Sequence, residues 1–153
     1  MKILVTGGAG FIGSALVRYI LDFTDFEVIN IDKLTYAGNL SSLSSYSNNK
    51  RYMHFKVDIQ DRTSLQKILF EHRPRFVMHL AAESHVDRSI TGPKDFIDTN
   101  IMGTFTILET VREFYFSLSD NDKQLFRFHH ISTDEVFGDL GPNDMPFNEE
   151  HPY

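Results

Sequence analysis

The chain has 153 residues, of which 41% are hydrophobic and 24% charged, a balance typical of one globular domain. A net charge of −6 argues against nucleic acid as a partner, because no basic stripe is present to displace counterions from phosphates, and the lack of cysteine excludes disulfides and thiolate chemistry. The apolar start Ile3–Val5 is interrupted before it forms a signal-peptide core or a membrane span, so we expect a cytoplasmic protein.

Short apolar runs alternate with segments of helical period, the pattern of β-α-β units around a parallel sheet. Two segments are too polar for either element: Tyr36–Lys50 is expected to be a loop with at most a short helix, and Ser119–Lys123 a polar loop. Strands are predicted at Lys2–Thr6, Glu27–Ile31, Tyr52–Val57, Phe76–Leu80 and Phe126–Ser132.

Three helices are predicted to pack apolar stripes against this sheet. The stripe of the first helix consists of Phe11, Ile12, Ala15, Leu16, Tyr19 and Ile20. The helix that follows Asp61, its predicted N-cap, packs through Leu65, Ile68 and Leu69. The longest helix is predicted from Pro93 to about Ser117, with a face made of Ile97, Ile101, Thr104, Leu108, Val111 and Tyr115.

A glycine-rich sequence, TGGAGFIG, joins the first predicted strand directly to the first helix. It fits G-x-G-x-x-G through Gly8, Gly10 and Gly13, and the wider G-x-x-G-x-x-G through Gly7, Gly10 and Gly13. Either spacing lets the backbone approach a pyrophosphate, which the N-terminus of the helix also attracts. A tight turn without a ligand is the weaker interpretation, because strand, glycines and helix follow one another in register.

The acid expected at the end of the second strand is Asp32, 19 residues after Gly13. A carboxylate at this position accepts hydrogen bonds from the adenosine ribose and repels a 2′-phosphate, which predicts NAD rather than NADP. The adjacent Lys33 weakens this prediction, because a cation beside the ribose tolerates a phosphate.

The fifth predicted strand is followed by a hydroxyl and two carboxylates, Thr133, Asp134 and Glu135. The carboxyl ends of parallel strands are where ligands collect, so we interpret the triplet as part of a catalytic site. On its own such a triplet is more often a solvated turn with a hydroxyl N-cap. The apolar strand before it and the glycine motif in the same chain favour the catalytic interpretation.

Four motifs occur in a fixed order: TGGAGFIG, LAAESHVDRSI (80–90), DTNIMGT (98–104) and HHISTDEVFGD (129–139). In them the sequence resembles the extended short-chain dehydrogenase/reductases and, among these, the dTDP-glucose 4,6-dehydratases, because the acid pair is rare in the superfamily's epimerases and decarboxylases. The resemblance implies a doubly wound, Rossmann-type α/β sheet of order 3-2-1-4-5. It also implies NAD-dependent dehydration of dTDP-glucose, or a similar nucleotide sugar, to a 4-keto-6-deoxy sugar.

The resemblance assigns roles to residues at matching positions. It implies that Glu135 removes the proton at carbon 5, that Asp134 protonates the departing hydroxyl and that Thr133 holds the carbon 4 hydroxyl. We expect Asp134 to be the protonated carboxyl, favoured by burial and by the charge beside it. Ser84 is expected to contact sugar or cofactor. Besides Gly7, Gly10 and Gly13, the expected cofactor contacts are Phe11, Ile12, Asp32, Lys33, Thr35, Ala37, Gly38, Asp58, Ile59, Leu80, Ala81, Ala82 and Thr99.

In the superfamily, hydride abstraction needs a tyrosine that acts as base and a lysine four residues after it. No such pair follows the fifth predicted strand. Tyr46 with Lys50, and Tyr52 with Lys56, have this spacing but lie in the wrong part of the fold. We therefore expect residues 1–153 to be an N-terminal cofactor-binding domain, incomplete at its C-terminal end, without the substrate domain and inactive alone. The resemblance implies a homodimer for the complete enzyme.

Some interpretations stay open at this point. The chain also fits another nucleotide-sugar short-chain dehydrogenase such as an epimerase, or a non-catalytic NAD-binding module. Asn100 either faces the cleft or ties its helix to the loop after the fourth strand. Arg88 either meets a substrate phosphate or pairs with Asp87. No histidine pair has a third ligand at metal spacing, so no metal site is expected.

Overall fold

The computed structural model describes all 153 residues and contains one five-stranded, entirely parallel sheet. The strand order β3-β2-β1-β4-β5 confirms the predicted topology. The first two strands have the predicted bounds, and the other three are slightly shorter. The strands are β1 Lys2–Thr6, β2 Glu27–Ile31, β3 Tyr52–Phe55, β4 Phe76–His79 and β5 Arg127–His130.

Helices cover both faces of the sheet, and none is long and apolar enough to cross a membrane. They are α1 Phe11–Phe23, α2 Arg62–His72, α3 Val86–Thr91, α4 Pro93–Phe96, α5 Thr104–Phe116 and α6 Asp120–Leu125. A π-helix, Ile97–Gly103, joins α4 to α5, and two 3₁₀ helices span Leu40–Tyr46 and Asp134–Phe137.

Capping side chains explain where two of these helices begin. The Asp61 carboxylate accepts a hydrogen bond from the Ser64 amide, which confirms the predicted N-cap of α2. The prediction of a polar loop at Ser119–Lys123 is wrong. The Ser119 hydroxyl accepts from the Asp122 amide and starts the short helix α6, because a capped first turn outweighs the weak helix propensity of Asp and Asn.

The strands alternate between two apolar cores, one on each face of the sheet. Leu4 of β1 points into a core with α2 and α5, whereas its neighbours Ile3 and Val5 point into a core with α1 and the first 3₁₀ helix. A parallel sheet buried on both faces requires this double covering. The chain therefore crosses from one face to the other, and this crossing opens a crevice at the carboxyl ends of the central strands.

The apolar stripe predicted for α1 is wrong by about one residue. The buried residues are Gly13, Ser14, Val17, Ile20 and Leu21. Phe11 and Ile12 are 93% and 65% exposed. The cause lies at Gly13, where a Cβ atom would sit 2.1 Å from the carbonyl oxygen of Gly7. This backbone contact fixes which side of α1 faces the sheet and turns Phe11 and Ile12 outward.

The long helix also presents a different face from the one predicted. Ile97, Ile101 and Leu108 are exposed. The residues buried against the sheet are Thr99, Gly103, Ile107, Thr110, Val111 and Phe114. A π-helix holds more residues per turn than an α-helix, so a stripe drawn at 3.6 residues per turn leaves the buried face within this segment.

Candidate functional site

A cavity of about 670 Å³ lies at the carboxyl ends of the central strands. Its walls come from the loops after β1, β2 and β4 and from the start of α1. Strand β1 lies between β2 and β4, and the chain leaves these strands toward opposite faces. The cavity thus occupies the topological switch point of the sheet, and its volume is typical of a ligand site.

The cavity brings together Ser84 and nearly all residues for which a cofactor contact is predicted. Asp58 is the exception, because it lies behind Lys33 rather than in the wall. The predicted residues in the wall are Gly7, Gly10, Phe11, Ile12, Gly13, Asp32, Lys33, Thr35, Ala37, Gly38, Ile59, Leu80, Ala81, Ala82, Ser84 and Thr99.

Six other residues in the wall were not predicted from the sequence. They are Ile31, Tyr36, Val57, Glu83, His85 and Ile131. The apolar ones sit at or just beyond strand ends, where hydrophobicity alone assigns a residue to the core. Glu83 had a usable signal, because it lies within the motif LAAESHVDRSI (80–90).

The glycine-rich turn forms the floor of the cavity and decides between the two spacings. Gly7, Gly10 and Gly13 line the cavity. Gly7 has a φ of +71°, and a Cβ atom there would lie 2.8 Å from the backbone of Ala81. Gly8 instead packs against Asn30. No side chain caps α1, so the amides of its first turn remain free for an anion.

The carboxylate of Asp32 is held in place by backbone amides. One oxygen accepts from Ala9 N at 2.9 Å, and the other from Leu34 N at 2.8 Å. Leu34 has a φ of +58°, an uncommon conformation for a residue with a side chain, and its bond to Asp32 stabilises it there. Asp32 is thereby fixed as an anionic acceptor in the cavity wall.

Lys33, next along the chain, is tied to two other segments. Its Nζ lies 3.4 Å from Oδ2 of Asp58, which follows β3. The same Nζ donates to Oγ1 of Thr99 in the π-helix at 3.1 Å. Both partners come from parts of the sequence that no local pattern connects to Lys33, so only the fold reveals that this ammonium group already has partners.

Tyr36 connects the loop after β2 to the loop after β4. Its hydroxyl donates to Oε2 of Glu83 at 3.0 Å, and the Arg88 guanidinium lies over its ring, 3.8 Å from the centroid. Burial and the Glu83 carboxylate raise the pKa of Tyr36, so the phenol stays protonated as a donor. Arg88 packs on this ring and forms no ion pair with Asp87. We call Tyr36, Glu83 and Arg88 the clasp.

Asn100 secures one half of the clasp to the π-helix. Its Oδ1 accepts from the Glu83 amide and its Nδ2 donates to the Glu83 carbonyl, both at 2.8 Å. This pair of bonds decides between the two interpretations of Asn100 in favour of the tie between helix and loop. With one bond at each polar end of its amide, Asn100 fixes the backbone of the loop.

His79 lies beneath the cavity at the end of β4 and is neutral. The Thr6 hydroxyl accepts from the Leu80 and Ala81 amides at 3.2 Å, so its own hydrogen goes to Nδ1 of His79, 2.6 Å away. The hydrogen on His79 must then be on Nε2, which lies 3.3 Å from Thr104 Oγ1. Burial, with a smaller effect of His130, lowers the pKa of His79 to about 4.

The triplet Thr133, Asp134 and Glu135 follows β5 at the same edge of the sheet but outside the cavity wall. All three residues are exposed. Oγ1 of Thr133 lies 3.3 Å from a carboxylate oxygen of each acid and also accepts from the Glu135 amide. Ile131, two residues earlier, does line the cavity. The fold therefore brings the two acids and the hydroxyl together, next to the cavity rather than within it.

Neither tyrosine with a lysine four residues later belongs to the cavity wall. The Tyr46 hydroxyl donates to Asp22 of α1 at 2.8 Å, and the Tyr52 hydroxyl accepts from Asn30 at 3.0 Å. Both phenols therefore contribute to packing on the α1 face. No three histidine, aspartate or glutamate side chains are grouped so that they can hold a metal ion.

Known proteins resemble this chain in sequence and in structure. The chain is 62% identical over 140 residues to dTDP-glucose 4,6-dehydratase of Escherichia coli. The matching segment covers 92% of the chain and 39% of that protein. The crystal structure of DesIV, a dTDP-glucose 4,6-dehydratase from Streptomyces venezuelae with NAD and TYD bound, is 40% identical and superposes with a TM-score of 0.82 over 99% of the chain and 45% of DesIV.

The fold alone is shared more widely. UDP-glucose 4-epimerase from Thermotoga maritima, solved with UDP-glucose, superposes with a TM-score of 0.74 at 32% identity over 96% of the chain and 42% of the epimerase. The chain thus spans less than half the length of each of these relatives. A family model described as GDP-mannose 4,6 dehydratase matches residues 4–153, essentially the whole sequence around this cavity, and the chain therefore belongs to that family.

Proposed function

We propose that the chain is the cofactor-binding part of an enzyme that uses NAD to dehydrate dTDP-glucose to a 4-keto-6-deoxy sugar nucleotide. The observation that carries the proposal is the 62% identity to the dehydratase of Escherichia coli over 140 of the 153 residues. An enzyme of this kind contributes to deoxysugar biosynthesis. We place it in the cytoplasm, where nucleotide sugars are made.

The features of the cavity suit NAD. The glycine floor and the uncapped N-terminus of α1 suit a pyrophosphate, and Asp32 suits an unphosphorylated ribose. The DesIV structure contains NAD and TYD and has the same fold. Once bound, NAD would accept the hydride from carbon 4 of the sugar and return it to carbon 6 after water is lost, so the overall reaction needs no other oxidant. Asp58 reaches this site through Lys33, and we propose that it acts there by holding that side chain.

The acid pair carries the dehydration in this proposal. A ketone at carbon 4 acidifies the proton at carbon 5, which Glu135 takes, while Asp134 gives a proton to the hydroxyl that leaves carbon 6. Thr133 positions the carbon 4 hydroxyl. Its contacts to both carboxylates support this arrangement, because they hold the three groups within one turn. The burial expected for Asp134 is not found, because this residue is exposed in the structure.

An epimerase is the second candidate, because the Thermotoga epimerase has a similar fold. Two observations favour the dehydratase. Among the solved structures, identity is 40% for the dehydratase DesIV and 32% for the epimerase, and epimerization at carbon 4 needs no acid and base at carbons 5 and 6.

A chimera tests the proposed function. This chain replaces the matching residues of the Escherichia coli dehydratase, and product formation from dTDP-glucose is followed by NMR. We expect the chimera to form the 4-keto-6-deoxy product, and Glu135→Gln to lower turnover by about 10²- to 10⁴-fold, the usual contribution of a general base. The 153 residues alone are expected to bind NAD without turnover.

The matched control is Glu149→Gln, since Glu149 is an exposed carboxylate in the same C-terminal part of the chain. It is expected to leave turnover unchanged. An active Glu135→Gln chimera contradicts the assigned base. A chimera that yields the 4-epimer without loss of water supports the epimerase instead.

We also propose that the complete enzyme is a homodimer. The outer face of the long helix carries a row of exposed apolar side chains, which we call the outer stripe: Ile97, Ile101, Phe105, Leu108 and Phe116. Contiguous exposed apolar surface of this kind marks an interaction site, because leaving it in water is unfavourable. A second copy of the same helix is a self-complementary partner for it.

A further inference from the structure

Lys33 is a cation in the wall of a cavity that we propose to bind NAD, and this raises a question of selectivity. The side chain directly follows Asp32, the acid expected at the ribose. A free lysine at this position attracts a 2′-phosphate and counteracts the repulsion by Asp32. Selection of NAD over NADP therefore depends on where the ammonium group of Lys33 is held.

We propose that Asp58 and Thr99 are positioning residues that hold Lys33 away from the ribose 2′ position and so make the site select NAD over NADP. The inference rests on the proposed function. Lys33 Nζ lies 3.4 Å from Asp58 Oδ2 and 3.1 Å from Thr99 Oγ1. One partner neutralises the charge of the ammonium group and the other fixes its direction.

The fold places both partners firmly. Thr99 is 4% exposed and belongs to the π-helix, the segment that brings it to the cavity wall. The other oxygen of Asp58, Oδ1, accepts from the Gln60 amide at 3.0 Å, which orients Oδ2 toward Lys33. Lys33 is the flexible member, and its long side chain is directed by two groups that are themselves fixed.

The Lys33–Asp58 ion pair is too weak to select NAD over NADP alone, so several effects must act together. Lys33 and Asp58 are each about one-third exposed, with side-chain accessibilities of 32% and 35%, so their ion pair alone is weak. A 2′-phosphate that paired with Lys33 would take this lysine from Asp58 and leave the Asp58 carboxylate without its cation. The phosphate would then lie near two carboxylates, those of Asp32 and Asp58. Specificity then results from a penalty against NADP as well as from contacts to NAD.

Dissociation constants for NAD and for NADP, measured by calorimetry on the purified chain, test the proposal. Asp58→Asn is the informative variant, because the amide keeps the Oδ1 acceptor for Gln60 and removes the charge that holds Lys33. We expect the ratio of the NADP constant to the NAD constant to fall by about ten-fold or more, the range for a charged hydrogen bond. Thr99→Val removes only the hydroxyl and is expected to lower the ratio less.

The double variant Asp58→Asn/Lys33→Met distinguishes two effects of Asp58: its hold on Lys33 and the direct effect of its negative charge on NADP. If Lys33 acts as proposed, the double variant loses the gain in NADP binding. A double variant that keeps the gain, or a single variant with an unchanged ratio at normal NAD affinity, overturns the inference and leaves the proposed function intact. A parent chain that binds no NAD overturns both.

Discussion

At the scale of single residues, the fold gives several polar groups near the cavity a definite partner. The hydroxyl of Thr6 uses its two acceptor positions on backbone amides and its hydrogen on His79, which fixes the tautomer of the ring. His79 is thus a neutral side chain that joins β1, β4 and α5. The same histidine looked from sequence like one of several candidates for a metal ligand.

The buried neutral state of His79 predicts a pH-dependent stability. Its folded pKa of about 4 lies below the ordinary value of 6.5, so the unfolded chain binds the proton first as the pH falls. Stability from this group is complete above pH 6.5 and is lost between pH 6.5 and 4, by up to about 3 kcal/mol. Urea unfolding at several pH values measures this loss.

The His79→Gln variant is expected to remove that part of the pH dependence while it lowers stability at pH 7. The control is His129→Gln, because His129 is exposed on the edge strand β5. A wild-type free energy of unfolding that stays flat from pH 6.5 to 4 contradicts the assignment of His79 as buried and neutral.

At the scale of elements, the clasp joins two loops across the end of β1. Tyr36 follows β2 and Glu83 follows β4, and β1 with its glycine turn lies between these strands. The bond therefore crosses the mouth of the cavity, and Arg88 packs on the same ring. A ligand that enters or leaves along this side has to separate the two loops.

We expect Tyr36→Phe to accelerate NAD dissociation by about 2- to 10-fold, because it removes one partly exposed hydrogen bond while the ring remains under Arg88. Stopped-flow displacement of bound NAD measures the rate. Tyr19→Phe, on the exposed side of α1, is the matched control and is expected to have no effect. Equal dissociation rates for Tyr36→Phe and the unchanged chain show that the clasp does not hold the cofactor.

At the scale of the whole molecule, the outer stripe predicts that the chain associates. Ile101 and Phe105 are 61% and 58% exposed at its centre. We expect light scattering to detect dimers whose fraction rises with concentration, and the double variant Ile101→Glu/Phe105→Glu to remain monomeric, because charged side chains resist burial in an apolar contact.

Phe23→Glu serves as the control for association, since Phe23 is 73% exposed at the end of α1 and is not part of the stripe. It is expected to associate like the unchanged chain. A clean monomer for the unchanged chain at high concentration contradicts the proposed use of this helix face.

The sequence by itself determined the order of the strands, the glycine turn and the Asp61 cap, whereas most of the residues expected around the cavity came from the resemblance to a family. These features depend on local patterns, because strand alternation, capping and tight turns are decided by residues that are neighbours in the chain. The acid pair was also visible from sequence, and its catalytic role stays a prediction.

Only the tertiary structure decided which side of each helix is buried and where the polar side chains find partners. The face of α1 follows from the contact between Gly13 and Gly7, and that of the long helix from its π turn. The tether of Lys33 joins residues 25 and 66 positions apart. Contacts between distant segments leave no periodicity in the sequence, so packing alone selects them.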